Sequence, residues 1–276
     1  MLRKHDKSSA ERLDERAFNI LKEAIFKATG LNCEYYRDSY LRRRINYRMR
    51  LLGIDSYWKY LQYLISHDDE YRFLLRGLTV NYSKFFRDYD VFMFFKDKIL
   101  PSILSKKRFI RILSAGCASG EEPYTISIII NEALGPKISN FSISIYGVDI
   151  DERCLKKAII GEYDAKELCG VPQNLIERYF LKTNGKLKVK GIIRRLVHFK
   201  NADLTQPLGY RNLDIIFCRN VLIYFDREGQ IKLFNSFYNS LLEGGYLIIG
   251  KTEVLPEGIQ GMFKCVSPEA RVYQRV

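Results

Sequence analysis

A glycine-containing turn at residues 114–125, SAGCASGEEPYT, carries two adjacent carboxylates, Glu121 and Glu122. Glycines between a strand and a helix let a ligand approach the backbone at the carboxyl edge of a sheet. A pyrophosphate would bind at the start of that helix, and two carboxylates there would repel it. They would attract a cation, and S-adenosylmethionine carries an ammonium and a sulfonium but no phosphate. The turn therefore favours S-adenosylmethionine over a dinucleotide, with one of the two glutamates serving only the helix dipole.

Acidic residues also follow the next two predicted strands. Asp149 ends the run FSISIYGVDI, where a carboxylate can accept hydrogen bonds from ribose hydroxyls. Asp151 is better placed to cap the helix that follows. Asp203, in FKNADL, has two open interpretations, which are pairing with an adenine amino group and capping a loop.

Two further stretches mix polar and apolar side chains, NYSKFFR at 81–87 and CRNVLIYF at 218–225. The phenylalanines of the first stretch are expected in the core, which would turn its polar residues toward a cleft between two domains. Arg219 and Asn220 follow a buried strand, at the edge where sites form in parallel sheets. Packing alone does not explain an arginine and an asparagine at that edge.

The elements that position these residues change character near residue 108. Before it, apolar residues recur at helical spacing, and Ser56 is placed to cap one of the helices. A helix that starts at Asp90 is expected to end before Pro101. We predict a small helical domain over residues 1–80, and a linker with a bridging helix over residues 81–108.

From Phe109 onward, strands and helices alternate, which is typical of a doubly wound parallel sheet with right-handed crossovers. The fold class is therefore α/β, with a Rossmann-like domain over residues 109–276 that follows an all-α domain. The pair Asn184-Gly185 favours a type I′ hairpin turn. We expect a small antiparallel insert at about residues 181–200.

Composition narrows the classes of protein. No apolar run approaches the roughly 20 residues needed to cross a membrane, so membrane insertion is not expected. We expect a cytoplasmic location. Six cysteines and three histidines do not cluster, so no metal is expected. The net charge is +13, and its concentration in the first 109 residues, which carry 23 basic against 14 acidic side chains, indicates an acidic partner.

Together, GEEPYT, VDID, TVNYSKFFRD (79–88) and IFCRNVLIYFD (216–226) resemble the chemotaxis receptor glutamate methyltransferases, the CheR family. The resemblance covers nearly the whole chain in the same order. It implies a class I methyltransferase domain that takes S-adenosylmethionine, releases S-adenosylhomocysteine and methylates glutamates of receptor helices. A monomer is expected.

The resemblance also assigns roles to individual residues. It implies that Glu122 binds the methionine ammonium, Asp149 the ribose, and Asp203 with Leu204 the adenine. The predicted cofactor-binding set is Asn81, Ser83, Arg87, Glu122, Asp149, Asp203, Leu204, Arg219 and Asn220. The residues predicted at the reacting centre are Arg87, Arg219 and Tyr224. Ser83 replaces a threonine of relatives and keeps the hydroxyl.

A basic helix is predicted at residues 37–50, which hold six arginines and one acid. Arg43 and Arg50 fall opposite the apolar seam, while Arg44 and Arg48 flank it. A solvated basic face is the ordinary interpretation of such a run. The charge excess and the resemblance favour docking of acidic receptor helices through these four arginines. In some members of the family, the hairpin insert also binds a peptide at the C-terminal tail of the receptor. The loop around Asn184-Gly185 is shorter than in those members, so we expect an enzyme that does not depend on this tail.

Two alternatives remain at this stage. A nucleic-acid methyltransferase would use the positive charge, but base amino-group methylation typically needs an Asn/Asp-Pro-Pro-aromatic motif where this chain has Cys218-Arg219-Asn220-Val221. We expect no nucleic-acid partner. The second alternative is a cofactor-binding adaptor for acidic helices that does not turn over.

Overall fold

A computed structural model of the protein describes residues 9–276. The chain divides into two units. Residues up to Val80 and the segment Tyr224–Gly229 form the first, and the segments Asn81–Ile223 and Gln230–Val276 form the second. Within the described residues, no helix combines the length and the apolar character that a membrane span requires.

The first unit is helical. Its helices are α1 (Ser9–Thr29), α2 (Asp38–Leu51), α3 (Tyr57–Ser66) and α4 (Asp68–Leu78). Most apolar residues at helical spacing are buried, with Phe18 and Ile45 both 0% exposed, whereas Trp58 and Ile65 of α3 are exposed. Ser56 caps α3 as predicted, because its hydroxyl accepts the backbone N–H of Lys59.

The bridging helix continues past its predicted end. Its parts are α5 (Tyr89–Phe94), a π-helical turn (Phe95–Ile99) and α6 (Leu100–Leu104). The expectation that Pro101 would end the helix is wrong, since Pro101 lies in the first turn of α6. A widened π turn directly before it interrupts the regular i→i−4 ladder, and Pro101 lacks the donor that this ladder would require.

The main sheet of the second unit has seven strands in the order β6-β2-β1-β7-β8-β10-β9. Their bounds are β1 (Phe109–Ala115), β2 (Ser142–Asp149), β6 (Val197–Asn201), β7 (Leu213–Cys218), β8 (Leu241–Ile249), β9 (Phe263–Ser267) and β10 (Val272–Arg275). The first five strands of this list run parallel to one another, and β10 pairs antiparallel with both β8 and β9.

The order of the parallel strands sets the position of the site. From β1 the chain moves outward to β2 and β6, and it then returns to place β7 on the other side of β1. Ligands bind beyond the carboxyl ends of the strands at such a switch point. All six residues of β7 are buried, which agrees with a central strand covered on both faces.

Helices accompany these strands on the remaining segments. They are α7 (Glu121–Leu134), α8 (Glu152–Ile160), α9 (Gln173–Tyr179), α10 (Gly191–Arg194) and α11 (Arg227–Ser240). Asp151 caps α8 as predicted, with its Oδ1 accepting the backbone N–H of Arg153 at 2.9 Å. The α/β class and the all-α first domain predicted from the sequence are thereby confirmed.

The small antiparallel insert contains three strands, β3 (Glu162–Tyr163), β4 (Phe180–Thr183) and β5 (Lys186–Val189), in the order β3-β5-β4. The hairpin turn between β4 and β5 has positive φ at Asn184 (48°) and Gly185 (76°), as a type I′ turn requires. The insert therefore also includes residues 162–163, which precede the predicted range of about 181–200. The strand that begins at Val197, within that range, belongs to the main sheet.

Candidate active site

The glycine-containing turn follows β1 and is held by the neighbouring strands. Gly116 (φ 76°) and Gly120 (φ 92°) adopt left-handed backbone conformations. A Cβ on Gly116 would lie 2.5 Å from Cγ2 of Val221, so any larger residue would displace the loop after β7. Close approach of two loops thus explains the glycine at this position.

Asp149 fastens this turn to the end of β2. Its Oδ2 accepts the backbone N–H of Ala118 at 2.8 Å, and its Oδ1 accepts that of Asp151 at 2.9 Å. Burial raises the pKa of Asp149, and these backbone hydrogen bonds act against that increase. Each carboxylate oxygen retains a second lone-pair direction, so both hydrogen bonds are compatible with the predicted contact to ribose.

The two glutamates of the turn have different surroundings. Glu122 accepts a hydrogen bond from the hydroxyl of Ser114 at 2.7 Å through Oε1, and its Oε2 lies 3.4 Å from Nη1 of Arg219. Glu121 accepts from the hydroxyl of Ser119 through Oε1. Its buried Oε2 has no hydrogen-bond partner among the described residues. Burial raises the pKa of both glutamates, and Arg219 opposes this for Glu122.

Arg219, at the carboxyl end of β7, is a buried connector with a side chain that is 2% exposed. Its Nη2 donates to the backbone oxygen of Arg87 at 2.8 Å and to Oδ2 of Asp88 at 2.5 Å. Together with the contact to Glu122, these bonds join the ends of β1 and β7 to the segment around Arg87. The structure therefore gives Arg219 a positioning geometry that spacing along the chain did not reveal.

The segment around Arg87 has an unusual backbone. Phe86 (φ 52°) and Asp88 (φ 56°), on either side of Arg87, both adopt left-handed conformations. A phenylalanine rarely adopts this conformation, and strain of this kind persists only where the surroundings enforce it. The buried Thr125 contributes, since its hydroxyl accepts the backbone N–H of Phe86 at 3.1 Å and donates to the backbone oxygen of Glu121 at 2.7 Å.

Arg87 itself is half-buried, with its guanidinium carbon 5.6 Å from the centre of the Tyr82 ring. Its charge acts to lower the pKa of Glu122. The structure thus brings Arg87, Arg219 and Glu122 into one electrostatic group. Phe85 is 1% exposed and Phe86 is 5% exposed, as predicted for core residues.

The first residues of this segment lie near α7 and α8. Asn81 donates through Nδ2 to Oδ2 of Asp151 at 2.8 Å, so Asp151 holds this segment in addition to capping α8. Ser83 lies beside Glu121, where its hydroxyl acts to lower the pKa of that carboxyl. Cofactor contacts of Asn81 and Ser83 stay predictions.

Asp203 and Leu204 follow β6 and are nearly buried, at 8% and 7% exposed. The Oδ1 of Asp203 accepts the backbone N–H of Thr205 at 2.8 Å, which is the loop-capping arrangement considered from the sequence. The contact predicted between Asp203 and the adenine stays a prediction.

Asn220 adopts a left-handed conformation with φ 60°, and its side-chain oxygen Oδ1 is buried without a hydrogen-bond partner among the described residues. Its backbone N–H donates to Oε2 of Glu253 at 3.0 Å. Reasoning from the sequence missed Glu253, Thr125 and Asp88. Thr125 and Asp88 lie within the motifs that were singled out, whereas the lone acid Glu253 carries no local pattern.

The structure places Tyr224 in the first unit. Its backbone oxygen accepts the N–H of Arg37 at 3.0 Å, and its ring centre lies 4.9 Å from that of Tyr40. Burial raises the pKa of Tyr40 to about 12, and Tyr224 adds to this increase. The role predicted for Tyr224 at the reacting centre stays a prediction.

The four arginines predicted to bind receptor differ in their engagement. Arg43 and Arg50 are exposed, whereas Arg44 and Arg48 are half-buried, as the helical wheel indicates. Arg48 donates to both carboxylate oxygens of the buried Glu70, at 2.5 and 2.7 Å. Arg48 therefore compensates a buried carboxylate of the first unit, and its guanidinium is less accessible to a receptor than those of Arg43 and Arg50.

The residues at the switch point fit S-adenosylmethionine. The unpartnered buried oxygens of Glu121 and Asn220 are acceptors, and ammonium and hydroxyl groups are donors. Glu121 and Glu122 lie at the start of α7, where a pyrophosphate would have to bind, and Asp149 accepts a backbone N–H of the same turn at Ala118. Among residues 9–276, no group of three or more His, Cys, Asp or Glu side chains could hold a metal ion.

Comparison with known proteins agrees with this geometry. Residues 81–272 match the model of the CheR methyltransferase, SAM binding domain, and residues 16–79 match that of the CheR methyltransferase, all-alpha domain. A chemotaxis protein methyltransferase of Borreliella burgdorferi is 31% identical over 85% of this chain and 87% of its own. Chemotaxis protein methyltransferase 2 of Vibrio cholerae is 32% identical over 86% of this chain and 84% of its own.

A third relative, a chemotaxis protein methyltransferase of Vibrio parahaemolyticus, is 38% identical over 69% of this chain and 70% of its own. The two family models together cover most of the described chain, in the order that the sequence motifs predicted. Because the matches include both the helical domain and the cofactor-binding sheet with its acidic turn, the chain belongs to the CheR methyltransferase family.

Proposed function

We propose that this enzyme transfers the methyl group of S-adenosylmethionine to glutamate side chains on the cytoplasmic helices of chemotaxis receptors. The observation that carries the proposal is the set of three acids, Glu121, Glu122 and Asp149, at the switch point of the sheet, where they would repel a pyrophosphate. Relatives at about 31% identity over most of the chain are chemotaxis protein methyltransferases, which supports the choice of acceptor.

The donor would be held by the residues already grouped at this edge. Glu122 would bind the methionine ammonium, Asp149 the ribose, and Asp203 with Leu204 the adenine. When bound, the donor supplies an electrophilic methyl group, and neutral S-adenosylhomocysteine leaves with the electron pair of the broken carbon–sulfur bond. The opposite charges of acceptor and donor are neutralised in this step, which a dry site favours.

The acceptor needs no general base. A glutamate carboxylate has an unperturbed pKa of about 4.3 and is already ionised at neutral pH. The task of the chain is therefore positioning, and a guanidinium suits it because it holds a carboxylate in a fixed plane. We assign this steering role to Arg87, whose side chain makes no ion pair with the described residues and lies in the same group as Glu122.

The receptor helices would approach the exposed arginines of α2. Arg43 and Arg50 project from the face opposite the buried seam, and no acidic partner neutralises them within the described residues. Attraction between this face and acidic helices would speed their encounter and would weaken as salt is added.

Incubation with labelled S-adenosylmethionine and receptor-containing membranes tests the proposal. The expected result is label in the receptor band that alkali releases as methanol, because carboxyl methyl esters are base-labile. Label in added RNA or DNA would support a nucleic-acid methyltransferase instead. Binding of S-adenosylhomocysteine without label in any acceptor would support a non-catalytic adaptor, and either result would overturn the proposal.

A further inference from the structure

Glu253 is a buried carboxylate whose hydrogen bonds come from backbone N–H groups. It follows the turn after β8 and is 4% exposed. Its Oε2 accepts from Gly250 at 2.7 Å and from Asn220 at 3.0 Å, and its Oε1 accepts from Leu222 at 2.8 Å. One side chain thus binds the end of β8 and the loop after β7 together.

The loop that Glu253 holds turns sharply at Asn220. Asn220 has a φ of 60°, a left-handed conformation that asparagine adopts more readily than most other non-glycine residues. Its backbone N–H would be buried and unpaired without the carboxylate. The two N–H groups of Asn220 and Leu222 lie two residues apart, so accepting both from one carboxylate fixes the loop between them.

The adjacent packing leaves this loop little freedom. A Cβ on Gly250 would lie 2.7 Å from Oε2 of Glu253 and 2.8 Å from the backbone nitrogen of Asn220. On the other side, Val221 fills the space above Gly116, in the turn that carries the glutamates. The loop after β7 is therefore enclosed between the ends of β8 and β1.

We propose that Glu253 is a positioning residue that sets the loop 219–222, and through it Arg219 and Asn220, for binding the methyl donor. Arg219 is the connector between Glu122 and Asp88, and Asn220 presents a buried, unpartnered oxygen at the same edge. The inference rests on the proposed function, because it assigns this loop to the donor site. Burial raises the pKa of Glu253, and its hydrogen bonds from backbone N–H groups act against that increase.

Glu253→Gln provides the first test. The amide places an N–H group where a backbone N–H now finds an oxygen, so at least one of these donors loses its partner. We expect the Kd for S-adenosylhomocysteine to rise about tenfold or more, with a fall in kcat, because a buried donor is left unpaired. Calorimetry gives the Kd, and receptor methylation gives KM and kcat well below each melting temperature.

Asp214→Asn is the matched control. Asp214 is also 4% exposed and accepts a backbone N–H, that of Arg111 at 2.8 Å, but it lies at the end of β7 far from the loop and also pairs with Lys107. This variant should lose thermal stability as Glu253→Gln does and keep the wild-type Kd. A second variant, Gly250→Ala, displaces the same loop without removing a charge, and it should also weaken binding of S-adenosylhomocysteine. It serves as the test if Glu253→Gln does not fold.

The possible results distinguish failure of the positioning role of Glu253 from failure of the proposed function. Glu253→Gln is the deciding variant where it folds, and Gly250→Ala is the deciding variant where Glu253→Gln does not fold. Weaker binding by the deciding variant, with wild-type binding by Asp214→Asn, supports the positioning role. A Kd of the deciding variant that matches that of Asp214→Asn overturns this role and leaves the proposed function intact. Wild-type protein that binds no S-adenosylhomocysteine overturns the proposed function and this role with it.

Discussion

The guanidinium of Arg219 donates to the carboxylate of Asp88 at 2.5 Å, which ties the end of β7 to the residue directly after Arg87. The same guanidinium lies 3.4 Å from Glu122, at the start of α7. Three segments that are distant in sequence thus meet at one buried cation. The candidate site therefore depends on Arg219 for its shape as well as for its charge.

Replacement of Arg219 by alanine should reduce both stability and donor binding. Removing one partner of a buried pair leaves the other charges uncompensated, and because Asp88 and Glu122 keep some solvent access we expect a loss of about 3 kcal/mol. Denaturant unfolding measures it. Lys59→Ala, which breaks the exposed pair with Asp55, should leave the free energy of unfolding nearly unchanged. Equal losses for the two variants would contradict the connector role.

Thr125→Val should separate fold stability from catalysis. Valine keeps the shape but leaves the backbone N–H of Phe86 without its acceptor, so we expect a loss of about 1–2 kcal/mol and slower methyl transfer through a displaced Arg87. Thr29 is the control, since its hydroxyl likewise donates to a carbonyl four residues earlier and accepts a backbone N–H, that of Leu31. Thr29→Val should keep the wild-type methylation rate per folded molecule, and a similar slowing in both variants would refute the assignment.

The loss of affinity for S-adenosylhomocysteine at low pH should follow the protonation of Glu122. Burial raises the pKa of this carboxyl above its ordinary value of 4.5. A raised pKa means that protonation, and with it the loss of ammonium binding, begins at a higher pH as the solution is acidified than for an exposed glutamate. Calorimetric titrations across this range should show affinity falling as pH falls toward that pKa. Glu122→Gln should bind weakly with a flattened profile, and an unchanged profile would assign the titration to another acid.

Much of this architecture follows from local patterns. Ser56 and Asp151 were identifiable as helix caps because a cap needs only the residues next to it, and both prove to be caps. The Asn184-Gly185 turn and the largely apolar strand β7 were likewise readable from short runs. The doubly wound, mostly parallel sheet also followed from the alternation of strands and helices, whereas the order of its strands came from the structure.

The parts that local patterns could not supply involve partners distant in sequence. Nothing near Glu253 indicates that it binds the backbone of Asn220, 33 residues away. The pairing of Arg48 with Glu70 is also invisible on a helical wheel, which shows only that Arg48 flanks the seam. The continuation of the bridging helix through Pro101 depended on a π turn that no composition signal marks.

Arg87→Ala should abolish receptor methylation while leaving S-adenosylhomocysteine binding mostly intact. The physical reason is that the proposed partner of Arg87 is the acceptor carboxylate, which binding of the product does not involve. Arg87→Lys should recover only part of the rate, because an ammonium cannot present the planar fork of a guanidinium. Methylation kinetics and calorimetry on both variants measure this, with Arg108→Ala, whose guanidinium lies over Phe141 at 4.7 Å, as a control expected to behave as wild type. Wild-type methylation by Arg87→Ala would remove the steering role.

The arginines of α2 should divide into two classes when each is replaced by alanine. Arg48→Ala leaves the buried Glu70 without its cation, so it should lower the stability of the first unit by about 3 kcal/mol. Arg50→Ala removes an exposed charge, so it should leave the melting temperature unchanged and weaken receptor binding, most clearly at low salt. Thermal unfolding and receptor pull-down at two salt concentrations distinguish these effects. If Arg50→Ala bound receptor as wild type does and Arg48→Ala lost binding without loss of stability, docking would use the flank of α2 rather than its exposed face.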